Sequence, residues 1–319
     1  MLPIHFAPLQ GYTDSTYRMI HSKLAGGVDV YYTPFIRWEG FRKRETTDGR
    51  TVKGDMRGKD VRDIEKVNNQ GIHLIPQIIC GNTDELNHLS DMIAEQGYSE
   101  IDINMGCPAP MQTKLKRGSG LLPHPDLIEK MVGEMEKRKD IRYSVKIRLG
   151  LEDANDWMAF IPTLNDAPIQ HITLHPRTGR QMYKGDVNMC AFGEFYAECR
   201  KPLIYNGDVK SVSDIEDIAR DFPQLAGIMI GRGLLARPTL AREYKDGKEW
   251  EPERRREIVM AMHEHMLNFC TTKYKVDSQI LLHIHSFWEF HEDALPRKVW
   301  KKIMKAGSMK NYLEAVREV

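Results

Sequence analysis

The stretch Ile101-Asp102-Ile103-Asn104-Met105-Gly106-Cys107-Pro108 reads as a short buried strand that breaks off abruptly into a loop. Its apolar run is brief enough for a strand, and Gly106 and Pro108 cannot continue it. The loop runs on through Lys114, Lys116 and Arg117 to the turn Gly118-Ser119-Gly120. A thiol, an amide, three cations and a turn able to bring backbone N–H groups to a ligand are therefore grouped together. Read alone, Cys107 is either a small buried residue beside a turn or a reactive thiol.

That strand-then-loop unit recurs along the chain. Short apolar runs fall at 3–7, 29–33, 73–79, 100–104, 142–148, 169–174, 201–206 and 226–230. Helical segments lie between most of them, for instance Asp84 to Gln96, Pro125 to Arg138 and Ser211 to Phe222, each opened by a residue that suits a helix start. Eight strand–helix repeats predict a closed (β/α)8 TIM barrel rather than an open doubly wound sheet. Barrels carry function on the loops after the C-terminal ends of their strands. Gln77, Asn104, Lys146, Arg148, His175, Arg177, Asn206, Asp208 and Arg232 all stand at or just past the end of an apolar run. Residues 40–72 are polar with little periodicity and read as a long connection, either solvated or touching RNA, with a short helix near Asp60 to Asn69.

Beyond Trp250 no strand is expected. Ile258, Met262, Met266 and Phe269, then Trp300, Ile303 and Met304, recur at helical spacing. The chain thus divides into a barrel, 1–246, and an all-helical domain, 247–319. From Ala294 to Lys310 the segment holds Arg297, Lys298, Lys301, Lys302, Lys305 and Lys310 and no acidic residue. It is either a solvated face or a source of phosphate contacts.

Composition limits the function classes. A 319-residue chain that is 41% hydrophobic and 29% charged can bury a large core, and no apolar run approaches a membrane span. The start, Met1-Leu2-Pro3-Ile4-His5-Phe6, shows no secretory signal. Five cysteines without a C-x-x-C pair argue against a disulfide framework and a zinc site, which fits a reducing cytoplasm. With a net charge of only +1, any nucleic-acid contact must come from local patches.

Two turns stand after the last two strands, Asn206-Gly207-Asp208 and Gly231-Arg232-Gly233. In barrels such turns hold a phosphate, and Arg232 adds a fork of donors. No G-x-G-x-x-G follows an early strand, so a phosphate-bearing cofactor in the barrel mouth, such as FMN, is the economical choice. Lys146 and His175 then stand where they can meet a flavin edge that becomes negative on reduction, although each also reads as a core-edge ion pair or a buried imidazole.

Taken together, Ala7 to Asp14, Ile101 to Pro108, Val145-Lys146-Ile147-Arg148-Leu149-Gly150, His175-Pro176-Arg177-Thr178, Asn206-Gly207-Asp208 and Met229 to Gly233 resemble, in order and spacing, the motifs of tRNA-dihydrouridine synthases. These are FMN-dependent (β/α)8 barrels with a C-terminal helical domain that reduce particular uridines in tRNA, with NADPH recharging the flavin. The resemblance implies that Pro8, Leu9, Gln10 and Gln77 line the flavin ring and that Lys146 and His175 meet its polar edge. Asn206, Gly207, Asp208, Gly231 and Arg232 would surround the phosphate end. Asn104, Arg148, Arg177 and Tyr183 would face the uridine or its backbone, and Cys107 looks like the family's proton donor. Two departures stand out: Pro176 replaces the usual Gly, and His283-Ile284-His285 lies where relatives commonly place Arg or Lys.

The chemistry suits these residue types. Saturating the C5–C6 bond of uracil needs a hydride at C6 and a proton at C5. A thiol with a pKa of ~8.5, kept protonated in an apolar pocket, can give that proton, whereas a carboxylate is mostly ionised already. A stacked base cannot reach a flavin, so the uridine must be splayed out and held by a basic surface, for which Lys114, Lys116, Arg117 and the helical domain's basic run are candidates. The expectation is a monomeric cytoplasmic enzyme using tRNA and NADPH or NADH, without metal or membrane. The competing readings are an FMN barrel acting on a free pyrimidine, of the dihydroorotate dehydrogenase type, and a flavin-free RNA-binding barrel.

Overall fold

A computed structural model describes residues 1–38 and 56–319. Ten strands form one all-parallel sheet: β1 (Ile4–Phe6), β2 (Val30–Tyr32), β3 (Ile36–Arg37), β4 (Leu74–Ile75), β5 (Gln77–Ile79), β6 (Glu100–Met105), β7 (Arg142–Gly150), β8 (Ile169–Thr178), β9 (Leu203–Tyr205) and β10 (Gly227–Ile230). They make eight staves. Tyr31 and Tyr32 of β2 pair with Leu74 and Ile75 of β4, and Ile36 and Arg37 of β3 then pair with Ile78 and Ile79 of β5, so the second and third staves are each split in two. Pro76, which has no N–H to donate, makes the break in the third, while its carbonyl still accepts from Asp102 N at 3.0 Å. With β10 on β1 and β1 on β2, the ring closes. The expected TIM barrel is present, and its one surprise in the strands is this pair of interruptions.

The helices expected between the strands are found within one or two residues. Thr83–Glu95 starts on an Asn82 cap, Pro125–Lys137 has its proline at the first turn, and Val212–Asp221 opens with a Ser211/Asp214 capping box. The connection ahead of the third stave carries Gly58–Ile64 and Lys66–Asn69, close to the helix expected there. Its earlier basic part, 40–55, lies outside the described residues.

Strand alternation decides what faces where. Ile101, Ile103 and Met105 of β6, and Tyr143, Val145, Ile147 and Leu149 of β7, belong to the main core between sheet and helices. Asp102, Asn104, Ser144, Lys146 and Arg148 therefore take the other face, inside the barrel. A small separate apolar cluster, Ala7, Val30, Tyr32, Ile75, Ile204 and Met229, also lies off the main core.

After β10 the described chain is helical: Pro252–Lys273, Asp277–Trp288, Arg297–Met304 and Met309–Val316 are its main elements. Fully buried Trp288 donates its indole N–H to Tyr312 Oη at 2.8 Å, and the same hydroxyl lies 2.6 Å from His263 Nε2. Tyr12, just past β1, joins this region to the barrel mouth through a 2.7 Å bond to Glu289 and an edge-on contact with Phe290. The basic helix Arg297–Met304 buries Val299 and Ile303, pairs Lys302 with Glu318, and leaves Lys298 and Lys301 exposed. Among the described residues no helix is long and apolar enough to cross a membrane, and no cluster of His, Cys, Asp and Glu is arranged to hold a metal.

Candidate active site

A cavity of about 420 Å³ opens at the C-terminal end of the barrel, within the range of small-molecule sites. One wall is Ala7, Pro8, Leu9 and Gln10, directly after β1, and Gln10 is held by a 2.9 Å bond from its Nε2 to the Phe35 carbonyl. Gly231, after β10, would place a Cβ 3.4 Å from Ala7 and 3.7 Å from Leu9, so the backbone there lies bare against the apolar wall. Opposite stand Asn104, Gly106 and Cys107 at the end of β6, with Lys146 and Arg148 of β7 and His175 of β8 between.

The Cys107 loop is tied down from two directions. Asn104 Oδ1 accepts from the backbone N–H groups of Gly106 and Cys107 at 3.1 and 2.8 Å. From below, Ser119 N and Oγ both donate to the Cys107 carbonyl at 3.0 and 3.1 Å. This corrects the expected use of Gly118-Ser119-Gly120. The turn is buried against the Cys107 loop rather than open to a ligand, and Gly118, at φ +59°, has no room for a side chain beside Cys107. Burial pushes the Cys107 thiol pKa up, with the Ala109 backbone, Arg148 and Lys146 opposing, so it stays protonated near neutral pH.

The cations are differently committed. Burial, helped by nearby Arg148, lowers the Lys146 ammonium to about 8, which leaves it mostly charged at pH 7. Arg148 donates to the Thr178 and Met182 carbonyls, each at 2.7 Å. Arg177 Nη1 lies 3.0 Å from His175 Nε2. A guanidinium only donates, so that nitrogen is an acceptor and the proton sits on Nδ1. Burial and the surrounding Arg148 and Lys146 drive the imidazole pKa well below its usual value. Of the roles open to His175, hydrogen bonding survives and positive charge does not.

At the other end the turns after β9 and β10 meet. Asn206 Nδ2 donates to the Met229 carbonyl at 2.8 Å, fastening one turn to the neighbouring strand. Asp208 pairs with Arg177 and, at 2.9 Å, with Arg232. Although burial opposes it, these guanidiniums hold the Asp208 carboxyl below the usual range. Tyr183, 49% exposed at the rim, has Arg232 over its ring at 4.7 Å and Arg148 at 5.5 Å.

Of the sixteen flavin, substrate and proton-donor residues that the resemblance implies, fourteen share one cavity, and Gln77 and Arg177 do not. Gln77 is fully buried beneath it, its amide spent on Asp102 and Asn104. Arg177 is buried behind the wall, engaged with Asp208, His175 and the Gly185 carbonyl. Arg117 is a correction: it is buried and bonded through Nε to Glu85 at 2.9 Å, which withdraws it from any phosphate, while Lys114 and Lys116 are exposed. Phe290, reaching the cavity from the helical region, was not legible from the sequence, nor was Asp102, which sits inside an apolar run.

Comparisons agree with the motifs. The sequence model of the dihydrouridine synthase family matches residues 5–318. The tRNA-dihydrouridine synthase B of Pasteurella multocida (strain Pm70) is 28% identical over 243 residues, covering 75% of this chain and 68% of that protein. A probable tRNA-dihydrouridine synthase of Aquifex aeolicus (strain VF5) is 30% identical over 249 residues, 77% of this chain and 73% of that one. The old yellow enzyme from Trypanosoma cruzi shares the fold, with a TM-score of 0.51 at 11% identity over 79% of this chain and 91% of that structure. With a family match running from the first strand to the last helix, the chain belongs to the dihydrouridine synthase family.

Proposed function

We propose that this protein reduces uridines in tRNA to 5,6-dihydrouridine, with FMN in the cavity, NADPH as the reductant and Cys107 as the proton donor to C5. The observation that carries this reading is the placement of a protonated thiol and a cationic lysine in the wall of one cavity that ends on the two turns after β9 and β10.

The residues fit the flavin. Pro8 and Leu9 offer an apolar wall and the bare Gly231 backbone keeps it flat, while Lys146 and the His175 Nδ1 proton supply donors to a polar edge. Arg232 and the Asn206–Asp208 turn stand at the end suited to a phosphate. When bound, FMN supplies the hydride that adds to C6 of the uracil.

The chain's own part is to hold the base and deliver a proton. Cys107 keeps its proton until negative charge develops at C5, and Lys146 places a positive charge in the cavity wall. Tyr183, flanked by two guanidiniums, offers an aromatic surface at the rim for the extruded nucleotide. Residues 247–319 act as the tRNA-recognition domain, with exposed Lys298, Lys301, Lys305 and Lys310, together with Lys114 and Lys116, as phosphate contacts.

The test is to map dihydrouridine in tRNA from cells lacking this protein and to restore it with the purified, flavin-loaded enzyme. Loss of dihydrouridine at defined positions and its return are expected. Unchanged tRNA, or activity on free uracil or orotate instead, contradicts the proposal.

A further inference from the structure

Asp102 is fully buried on the inner face of β6 and has no part in the reaction as described so far. It accepts from a neighbour on each side: Gln77 Nε2 of β5 at 2.7 Å and Ser144 Oγ of β7 at 2.7 Å. Gln77 Oε1 in turn accepts from Asn104 Nδ2 at 2.8 Å. Asn104 Oδ1 accepts from Gly106 N and Cys107 N.

The direction of every amide in this relay follows from its two ends. An ionised carboxylate can only accept, so Gln77 must turn its Nε2 toward Asp102 and its Oε1 toward Asn104. A backbone N–H can only donate, so Asn104 must turn its Oδ1 toward the Cys107 loop. The two requirements agree. Both lone pairs of Asn104 Oδ1 and one Nδ2 hydrogen are then spent. The hydrogen-bonding capacity left on Asn104, a residue of the cavity wall, is its second Nδ2 hydrogen.

We propose that Asp102 is a positioning residue for the reaction: acting through Gln77, it secures the Nδ2 side of the Asn104 amide and so reinforces the orientation that the Gly106 and Cys107 N–H groups set from the Oδ1 side. It thereby holds the Cys107 loop in place and presents an N–H, never a C=O, to the base. A base edge bearing a carbonyl, as in uracil, is accepted there, and one bearing an amino group in its place, as in cytosine, meets donor against donor. This rests on the base-reducing reading above and adds to it the origin of the base preference.

Asp102→Asn tests the relay, because an amide at 102 can meet Gln77 with either face and so removes the constraint on the Nδ2 side of Asn104, leaving only the backbone end. Two properties are compared with wild type in flavin-loaded protein: hydrogen exchange at the Gly106 and Cys107 amides, and kcat/KM on transcripts with uridine or cytidine at the modified position. Exchange is expected to quicken about tenfold, as for loss of one buried hydrogen bond. The uridine-over-cytidine ratio is expected to fall about tenfold. A merely structural role lowers both substrates alike and leaves the ratio unchanged, and that result, with unchanged exchange, overturns the proposal. Where Asp102→Asn fails to fold, Gln77→Leu cuts the same relay and carries the same expectations. A wild-type enzyme that makes no dihydrouridine refutes the reading of the site, while the exchange measurement still decides the relay.

Discussion

The two ends of the cavity are built from different forces. At the β6 end, order comes from directional hydrogen bonds passed from Asp102 through Gln77 and Asn104 to the Cys107 backbone. At the β9 and β10 end it comes from charge: Asp208 shared by Arg177 and Arg232. Hydrogen bonds of fixed polarity specify geometry and suit the place of the proposed proton donor. Ion pairs hold charge in reserve, and an incoming phosphate can compete with Asp208 for Arg232. Mutations at the two ends should therefore separate chemistry from cofactor binding.

The largest separation is expected from Cys107→Ala. Dihydrouridine formation should fall by about 10²–10⁴, the usual worth of a positioned general acid, while flavin content and tRNA affinity, measured by absorbance and filter binding, stay near wild type. Arg232→Ala should do the reverse. Loss of one charge-assisted contact weakens FMN binding by about ten- to a hundredfold in a flavin titration, and activity returns when FMN is in excess.

A third prediction sets stability against function at the β6 end. Burial of Asp102, opposed by its bonds to Gln77 and Ser144 and by Lys146, raises its carboxyl pKa to about 6. Since that is above its value in the unfolded chain, the charged form costs folding free energy above pH 6, on the order of 3 kcal/mol. The cost is relieved as pH falls through about 6 toward the ordinary Asp value. Asp102→Asn should remove this pH dependence from denaturant unfolding without lowering the midpoint at pH 8, even as turnover drops. A midpoint that falls sharply would make Asp102 a simple packing element.

The smallest effect belongs to the surface. Lys298→Ala and Lys301→Ala should each raise KM for tRNA about two- to fivefold and flatten its salt dependence by roughly one unit of slope, as expected for a single phosphate contact. Neither should alter flavin binding.

Much of this is legible in the amino-acid sequence. The eight apolar runs became eight staves because strand length, glycine and proline punctuation and helix caps are local properties. That Cys107, Lys146, His175 and Arg232 line one cavity is legible because a closed barrel sends every strand end to one rim. What escaped depended on partners remote in sequence. Arg117 looks like a free cation until Glu85, 32 residues earlier, is seen to hold it. Arg177 is taken by Asp208, 31 residues on. Phe290 reaches the mouth from beyond the barrel, and Asp102 hides in an apolar run because strand alternation turns it inward, away from Ile101 and Ile103. Polarity alone marked the rim but could not say which groups were spent.

The most direct measurement is dihydrouridine formed in substrate tRNA by flavin-loaded Cys107→Ala beside wild type, with NADPH supplied and flavin occupancy checked in both. Conversion by wild type and a loss of at least about a hundredfold in the variant, at equal flavin content, is the predicted result. Equal conversion by the two proteins would contradict it.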